Sequence, residues 1–443
     1  MASRLLALAV LISSALIAWL TISFSVAARL LQGVVGLSIV YVAYLAWRGW
    51  RSMRGALQPG PAVVASIDLP PGTRPWITLV VPARNEEAVI ADAVHDLASQ
   101  QYASDGAPSF DLLVVDDGSI DATGDRARLA GAALGDRIRV VRRQPGNGPQ
   151  TKAAVLAFAQ PMVRGDVVGV MDADTRVPPG FMDRLMRAWQ ADPSAAIQAQ
   201  RRASNAGAGW LPAAQDTEQL MDMASQCGRR ATTGTAELRG NGMFVRCSAL
   251  SQVGGWNPGV LTEDLDLSTR LVAAGEHVAL APQVEVGEQA VEEIGALWRQ
   301  RLRWAEGGLR RLMDHGPALI GRSDVPLTSK LDFLAFSAEF LIPPLFLAAV
   351  VASAVTIPLP EPADWTVPLS LFAAYGSGSF LLALAGLASH GERGWALLGR
   401  SARGALFLSH WLLVVPAALA RIAFREPSQA FVQTPRHAPR GRQ

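Results

Sequence analysis

Long apolar runs with few or no charged residues lie at both ends of the chain. The first two cover residues 5–27 and 30–47, and three more cover 333–355, 367–387 and 405–422. An α-helix needs about 20 apolar residues to cross the ~30 Å hydrocarbon core of a bilayer. The hydropathy pattern therefore predicts an integral, multi-pass membrane protein with five spans.

Charged residues beside these runs predict their orientation. Arg48, Arg51 and Arg54 close the second run. Because basic residues collect on the cytoplasmic side, the segment that follows is predicted to be cytoplasmic. A signal peptide is the alternative for the first run, although its apolar part is too long for that role. Five spans would place the basic tail outside, so the alternative is that one late segment is interfacial or re-entrant.

Between the membrane segments the pattern changes to alternating strands and helices. Short apolar runs predict strands at 77–81, 112–115, 138–141 and 167–170. This alternation predicts an α/β fold with right-handed crossovers and a mostly parallel sheet. The intervening helices are predicted from 86 to 100, from the second strand to about 134, and from 151 to 159.

Polar residues follow three of these strands. Ligands bind beyond the carboxyl ends of the strands in such sheets, so the three clusters are predicted to share one site. Carboxylates on a short turn suit Mg²⁺, and an Asx turn that only reverses the chain is the alternative for the last cluster. The clusters are Pro82-Ala83-Arg84-Asn85-Glu86, Asp116-Asp117-Gly118-Ser119 and Asp172-Ala173-Asp174.

Composition narrows the class of protein. Half of the 443 residues are hydrophobic and 18% are charged, with a formal net charge of +2. No basic stripe interleaved with aromatic residues is present, so no nucleic-acid partner is predicted. Cys227 and Cys247 have no metal-ligand or disulfide spacing and are predicted to be reduced, as in a cytoplasmic domain.

Five motifs occur in an order that resembles the membrane-embedded family 2 glycosyltransferases. These are inverting enzymes of the GT-A fold, and the resemblance covers about residues 77–304. It implies a Rossmann-like GT-A domain in the cytoplasm, flanked by transmembrane helices. The motifs are Pro82-Ala83-x-Asn85-Glu86, Asp116-Asp117-Gly118-Ser119, Asp172-Ala173-Asp174, Thr262-Glu263-Asp264 and Gln300-Arg301-Leu302-Arg303-Trp304.

The predicted organisation has five parts. Residues 1–50 hold two transmembrane helices, 51–75 a linker rich in Pro and Gly, and 76–328 the GT-A domain with interfacial helices near 291–320. Residues 329–424 hold about three further spans, and 425–443 a disordered basic tail.

The resemblance implies a site for a UDP-sugar. In it, the acids at 116 and 117 hold uracil and ribose, and the acids at 172 and 174 bind Mg²⁺, with Mn²⁺ as the alternative ion. A lysine that opens a helix can meet phosphate, and a solvated surface lysine is the alternative. The predicted donor-site residues are Pro82, Asn85, Glu86, Asp116, Asp117, Lys152 and Asp172, with Asp172 and Asp174 as metal ligands.

The resemblance also implies the catalytic residues. It assigns the base that deprotonates the acceptor to Asp264, with Glu263 and Asp266 as lesser candidates. The alternative is that Thr262 and the acids only begin a helix. Gln300, Arg303 and Trp304 would support the diphosphate and the acceptor, in a segment that also has the composition of a basic interfacial helix.

The acceptor is predicted from a closer resemblance. Gly240-Asn241-Gly242-Met243, Gly254-Gly255-Trp256-Asn257 and the residues around Trp304 are similar to the cyanobacterial-type β-monoglucosyldiacylglycerol synthases. This implies glucose transfer from UDP-glucose to diacylglycerol or another lipid, with a flexible glycine loop that lets the acceptor approach.

Two other functions are alternatives to lipid glucosylation. One is a processive polysaccharide synthase of the cellulose, chitin, hyaluronan or poly-N-acetylglucosamine type, which needs a polymer tunnel; the 7% aromatic content disfavours it. The other is a catalytically inactive membrane scaffold. The sequence leaves the sugar and the oligomeric state open.

Overall fold

The computed structural model describes residues 2–57, 74–104, 106–144, 146, 148–360 and 365–425. They form two compact units. The helical unit takes its described residues from 1–52, 220–235 and 297–428, and the α/β unit from 53–219 and 236–296. This division is discontinuous along the chain. The predicted linker is helical as far as Leu57, and its part at 58–73, like the predicted tail after Arg425, lies outside the described residues.

The α/β unit contains a sheet of seven strands. Across the sheet their order is β3-β2-β1-β4-β6-β5-β7. β1 runs parallel to β2 and β4, β2 to β3, and β5 to β7, whereas β6 is antiparallel to both neighbours. The predicted mostly parallel sheet is confirmed. The strands are β1 (Ile77–Ala83), β2 (Phe110–Asp116), β3 (Ile138–Arg142), β4 (Val167–Val170), β5 (Ala196–Ala203), β6 (Met243–Arg246) and β7 (Val278–Glu288).

The central strands are buried on both faces. Leu79 and Leu112 pack into one hydrophobic core, while Val80, Leu113 and Val168 pack into a second. Successive side chains of a strand point to opposite faces, so a strand covered on both faces becomes a continuous apolar run. For this reason the apolar runs identified these strands correctly.

Two predicted helices are shorter in the structure. The helix predicted from residue 86 begins at Ile90, because Asn85 has a φ of 54° and the Glu86 N–H donates to the Thr123 hydroxyl at 2.8 Å. The helix predicted to reach 134 ends at Ala130. The α-helices formed wholly by this unit are Ile90–Ala98, Thr123–Ala130, Lys152–Ala159, Phe181–Ala191, Cys247–Gln252 and Glu263–Ala273, with 3₁₀ helices at Ala132–Arg137, Gln160–Met162 and Ala206–Ala208.

The described residues contain five helical segments long and apolar enough to cross a membrane. Many of their large apolar side chains, Leu30 and Leu37 among them, are exposed on the protein, as on a surface that contacts lipid. The protein is therefore a membrane protein. The segments are Ala2–Ser23, Ser25–Leu57, Leu327–Val355, Thr366–Ser389 and Gly394–Phe424.

Two of these segments are broken, and one extends further than predicted. The third consists of Leu327–Ala338 and Ile342–Val355, with Pro343 in the first turn of the second part, and the fifth consists of Gly394–Leu408 and Trp411–Phe424. The second continues past the end of its apolar run, because arginine favours a helix almost as much as leucine does. Two further helices, Trp210–Thr233 and Ile294–Gly321, contain points where the chain passes from one unit to the other.

A buried ion pair joins two helices inside the helical unit. The Arg229 guanidinium donates to the Asp332 carboxylate at 2.7 Å, and the Thr235 hydroxyl donates to the same carboxylate at 2.5 Å. The charged side chains are 4% and 2% exposed. Each charge therefore depends on the other for its stabilisation, since water cannot replace the partner.

We expect Arg229→Met to lower the free energy of unfolding by about 3–5 kcal/mol, because it leaves Asp332 buried without its guanidinium. Thermal unfolding of the detergent-solubilised full chain measures the change. Arg322→Met is the matched control, since its pair with Asp324 is exposed and such pairs contribute little. Equal destabilisation by the two variants would contradict the assignment.

Candidate active site

The carboxyl ends of β1, β2 and β3 meet at one edge of the sheet. The strand register places Ala83 beside Asp116 and Asp116 beside Arg142. β4 ends at the same edge, because Val170 pairs with Val80 of β1. The three polar clusters that follow these strands therefore begin at one edge, as the sequence predicted.

Arginines hold the two acids after β2. Asp117 is 3% exposed and accepts from Arg143 Nε at 2.6 Å. Asp116 is equally buried; it accepts from the Ser119 N–H at 2.8 Å and lies 3.4 Å from the Arg142 guanidinium. A turn that only reverses the chain would not need two buried carboxylates with arginine partners. Asp117 and Arg143 together offer an acceptor and donors at the edge of the sheet.

The first cluster connects the loops after β1 and β2. The Asn85 N–H donates to the Ser119 hydroxyl at 3.0 Å, and Asn85 Oδ1 accepts from the Ile120 N–H at 2.9 Å. The left-handed backbone of Asn85 makes both bonds available. Pro82 lies within β1, and Glu86 is buried beside Thr123. These contacts position the acids at 116 and 117, whereas the predicted binding of donor by Pro82, Asn85 and Glu86 stays a prediction.

The acids after β4 form a turn, which we call the carboxylate turn (residues 172–175). The Thr175 N–H donates to the Asp172 carbonyl. Asn241 Oδ1 braces the turn by accepting from the Asp172 N–H at 3.1 Å and the Thr175 hydroxyl at 2.7 Å. Asp174 is 4% exposed and accepts from the Gln289 N–H at 2.6 Å. The Asp172 side chain is 30% exposed and is the accessible acid of the pair.

Lys152 links this turn to the helix that carries the predicted base. Its Nζ lies 2.5 Å from Asp172 Oδ1 and 3.2 Å from Glu263 Oε1, and its side chain is 17% exposed. The alternative of a solvated surface lysine is therefore wrong. Burial by itself would lower the pKa of Lys152, but the carboxylates of Asp172 and Glu263 hold the pKa above its ordinary value. The lysine thus stays a cation that can meet a phosphate.

Glu263 and Asp264 begin the helix Glu263–Ala273. Thr262 is the N-cap residue of this helix and the acids lie in its first turn, as the alternative predicted, but within the described structure the Thr262 side chain makes no capping hydrogen bond. Burial, with the charge of neighbouring Glu263, raises the pKa of Asp264 to about 6. Asp266 is bound to Arg270 at 2.6 Å, which makes it a structural residue. With this pKa, Asp264 changes its protonation around pH 6.

The glycine loop is packed rather than open. Asn241 is 1% exposed, and a Cβ at Gly242 would lie 2.6 Å from Val286 Cγ1. The prediction of a flexible loop is wrong, because the positive φ angles of Gly240 and Gly242 serve tight packing. A Cβ at Gly240 would lie 3.4 Å from Lys152 Nζ and 3.5 Å from Asp264 Oδ2. The backbone of Gly240 thus approaches both charged groups.

Gln300, Arg303 and Trp304 lie on the helix Ile294–Gly321 and belong to the helical unit. Arg301, between them, lies over the Trp304 ring, with its guanidinium carbon 4.1 Å from the ring centroid. The predicted roles of Gln300, Arg303 and Trp304 at the diphosphate and acceptor stay predictions.

Sequence reasoning missed several residues of the site. Arg143 directly follows β3, next to β2 in the sheet, so the rule that located the acids also applies to it. The motif around Asn241 was interpreted through the glycines on either side, and the side-chain amide of Asn241 was not predicted to belong to the site. Arg239 lowers the pKa of Asp264, opposing burial, and its proximity comes from a tertiary contact with no local sequence signal.

Residues 74–307, more than half of the chain, match the family model described as "Glycosyltransferase like family 2". The chain belongs to this family. It is therefore an enzyme, a glycosyltransferase that uses a nucleotide-sugar donor.

Similarity to individual proteins extends beyond the catalytic domain. The chain is 34% identical to a β-monoglucosyldiacylglycerol synthase from Synechocystis sp. over 375 residues, which cover 81% of this chain and 74% of the relative. It is 31% identical to the enzyme of the same name from Nostoc sp., with 82% and 77% covered.

A solved structure confirms the fold. The mannosyltransferase PcManGT from Pyrobaculum calidifontis, in complex with GDP-Man and Mn²⁺, superposes with a TM-score of 0.55. The alignment covers 89% of this chain and 98% of that one, at 22% identity. The α/β unit thus has the GT-A fold predicted from the sequence.

Proposed function

We propose that this enzyme transfers glucose from UDP-glucose to diacylglycerol and forms β-monoglucosyldiacylglycerol with inversion at the sugar. The observation that carries this proposal is the similarity to cyanobacterial enzymes of that name over 81% and 82% of the chain. Because the similarity covers most of the chain, it includes apolar segments as well as the catalytic domain. A lipid acceptor is reached most directly by a membrane protein.

The acids after β2 suit the nucleoside of the donor. A carboxylate accepts hydrogen bonds from the uracil N3–H or the ribose hydroxyls. Arg143 Nε, 2.6 Å from Asp117 Oδ1, fixes the position of this carboxylate. Lys152 follows Thr151, whose hydroxyl caps the helix Lys152–Ala159. The Lys152 ammonium, together with the N-terminus of this helix, is suited to bind the negatively charged diphosphate.

The carboxylate turn fits a hard divalent cation, Mg²⁺ or alternatively Mn²⁺. Asp172 and Asp174 supply oxygen ligands, and the exposure of Asp172 gives a cation access. No group of three potential metal ligands occurs among the described residues, so donor phosphates and water would complete the coordination, as is usual for Mg²⁺. Such an ion neutralises charge on the departing diphosphate.

Asp264 acts as the base in the proposed reaction. It accepts the proton of the diacylglycerol hydroxyl while that oxygen forms a bond to C1 of glucose. The bond from C1 to the diphosphate oxygen breaks, and UDP leaves with the electron pair. Attack opposite the leaving group converts the α-linked donor into a β-product. A positioned carboxylate contributes typically about 10²–10⁴-fold to such a step.

The helical segments support a multi-pass topology with the catalytic unit in the cytoplasm. Arg48, Arg51 and Arg54 lie on the helix Ser25–Leu57, beyond its apolar part, and basic residues favour the cytoplasmic side. Diacylglycerol would then enter from the cytoplasmic leaflet, where Gln300, Arg303 and Trp304 are proposed to serve the diphosphate and the acceptor.

Labelled UDP-glucose tests the proposal directly. The purified full chain is incubated with the donor, diacylglycerol vesicles and Mg²⁺, and the label is followed by extraction. We expect an organic-extractable monoglucosyl lipid that a β-glucosidase hydrolyses. An ethanol-insoluble polymer, or a product that appears without added diacylglycerol, would reject the lipid acceptor.

The rate should depend on the protonation of Asp264. Its pKa is raised to about 6, so the carboxylate needed for proton transfer forms as the pH rises. We expect kcat/KM, which reports the pKa values of the free enzyme, to increase through about pH 6 and to level off above it. In Glu263→Gln the neighbouring negative charge is removed. This lowers the pKa of Asp264, so the increase in activity should occur at lower pH. A profile that is flat across this range would contradict the assignment.

A further inference from the structure

A cluster of buried polar side chains lies next to the carboxylate turn and has no role in the mechanism above. The glutamine cluster consists of Gln200 on β5, Gln219 on the helix Trp210–Thr233, and Glu288 at the end of β7. The residue after Glu288 is Gln289, whose N–H donates to Asp174 Oδ2 at 2.6 Å. Neighbouring Cα atoms are about 3.8 Å apart. Glu288 is therefore the residue next to the backbone N–H that binds Asp174 of the carboxylate turn.

Hydrogen bonds fix the orientation of both amides. Gln219 Nε2 donates to Glu288 Oε1 at 2.6 Å. Gln200 Nε2 donates to the backbone carbonyls of Arg201 at 2.7 Å and Gln219 at 3.3 Å. Each Nε2 faces only acceptors, so exchanging the amide nitrogen and oxygen would set oxygen against oxygen. The positions of the two Oε1 atoms are therefore determined.

The Oε1 atoms of Gln200 and Gln219 are buried, and no protein group in the described part of the chain donates to either. The two residues are 0% and 8% exposed. Gln198, two residues earlier on β5, differs: its Oε1 accepts from the Arg239 N–H, and its Nε2 donates to the Asn241 carbonyl. Buried acceptors without donors are rare because they are costly. The two beside the proposed reaction site offer acceptors to a ligand that brings hydrogen-bond donors.

The chemistry of the ligand follows from these acceptors. Gln198 lies two residues before Gln200 on β5, and the register to β7 shifts between Ala199 and Gln200. Gln198 Oε1 accepts from the Arg239 N–H, next to Gly240, whose backbone approaches Lys152 and Asp264. Diacylglycerol has a single hydroxyl, which must face Asp264, and its esters donate nothing. A hexose attached to the diphosphate carries several hydroxyls.

We propose that Gln200, Gln219 and Glu288 bind hydroxyl groups of the hexose on the nucleotide donor and so select the sugar. Gln200 and Gln219 accept through Oε1, and the Glu288 carboxylate, whose side chain is 15% exposed and whose Oε1 lies 3.6 Å from Arg201 Nη1, is the third acceptor. The identity of the hexose as glucose rests on the proposed function.

The test measures donor binding without any acceptor. Dissociation constants of the full chain in detergent are determined with Mn²⁺ for UDP, for UDP-glucose, and for UDP-glucose analogues that lack one hydroxyl at C2, C3, C4 or C6. In the wild type we expect at least one deoxy analogue to bind about tenfold more weakly than UDP-glucose. In Gln219→Leu we expect this penalty to disappear, UDP-glucose to lose about tenfold in affinity, and UDP to bind as before.

Gln215→Leu is the matched control on the same helix. Gln215 is also buried, but its amide is fully engaged by Leu211 and Val291. Its replacement should lower stability and leave the ratio of UDP-glucose to UDP affinity unchanged. Equal changes of that ratio in both variants, a deoxy penalty that persists in Gln219→Leu, or no preference of the wild type for UDP-glucose over UDP would overturn the inference. Intact sugar discrimination without glucosyl-lipid formation would support it while rejecting the proposed acceptor.

Discussion

Replacing Asp264 by Asn should lower kcat by about 10²–10⁴-fold, because an amide of the same size cannot take the acceptor proton. The dissociation constant for UDP should hardly change. Asp264 Oδ1 accepts from the Leu265 N–H at 2.8 Å, and an amide oxygen can accept the same bond. The start of the helix should therefore remain intact, so that the loss reports on chemistry. Single-turnover glucosyl transfer, measured beside UDP binding, separates the two effects.

Asp266→Asn is the control within the same helical turn. Asp266 is buried and bound to Arg270, so its replacement should lower thermal stability while the folded enzyme keeps its turnover. If Asp264→Asn retained wild-type turnover, or if both variants lost turnover in proportion to stability, Asp264 would not be the base.

Removing the accessible acid of the carboxylate turn should have the second largest effect. We expect Asp172→Ala to lower kcat/KM by about 10²-fold or more, since a cation at a leaving diphosphate contributes several kcal/mol and each 1.36 kcal/mol is tenfold. Chelation followed by titration with Mg²⁺ or Mn²⁺ measures the apparent metal affinity. That affinity should fall in the variant, and the loss should be partly overcome by excess metal.

Asp174→Ala extends this test, and Asp125→Ala controls it. Asp174 also holds the Gln289 N–H, so its loss should weaken metal-dependent donor binding and loosen the end of β7. Asp125 is exposed and pairs with Arg128 three residues further along the chain. Its removal should change neither the metal-dependent donor binding nor the end of β7. An unchanged metal response in Asp172→Ala and Asp174→Ala would refute the assignment of the turn as the metal site.

The strands could be predicted because their apolar pattern has a direct physical cause. β1, β2 and β4 are covered on both faces, which requires apolar side chains at nearly every position. Helix starts were predicted less well. The start at Ile90 depends on a bond from Glu86 to Thr123, a residue distant in sequence, and a local pattern has no information about such a partner.

The residues of the candidate site also fall into those that the sequence located and those that it missed or misjudged. Asp117, Asp172 and Asp174 were located because topology brings the carboxyl ends of neighbouring strands to one edge. Arg143 was missed although the same rule reaches it. The Gly240 loop was misjudged because glycine permits both a mobile loop and a close approach, and only the contacts of Gly242 with Val286 distinguish them.

The sequence by itself determined the α/β class, the membrane segments, the family and the acids of the site, since each depends on residues close in the chain or on motifs in a fixed order. Only the tertiary structure decided that Lys152 joins Asp172 to Glu263, that burial raises the pKa of Asp264 to about 6, and that the Oε1 atoms of Gln200 and Gln219 have no donor among the described residues. Charges, burial and hydrogen-bond partners act over a few ångströms in space. Residues far apart in the chain therefore acquire these properties only when the fold brings them together.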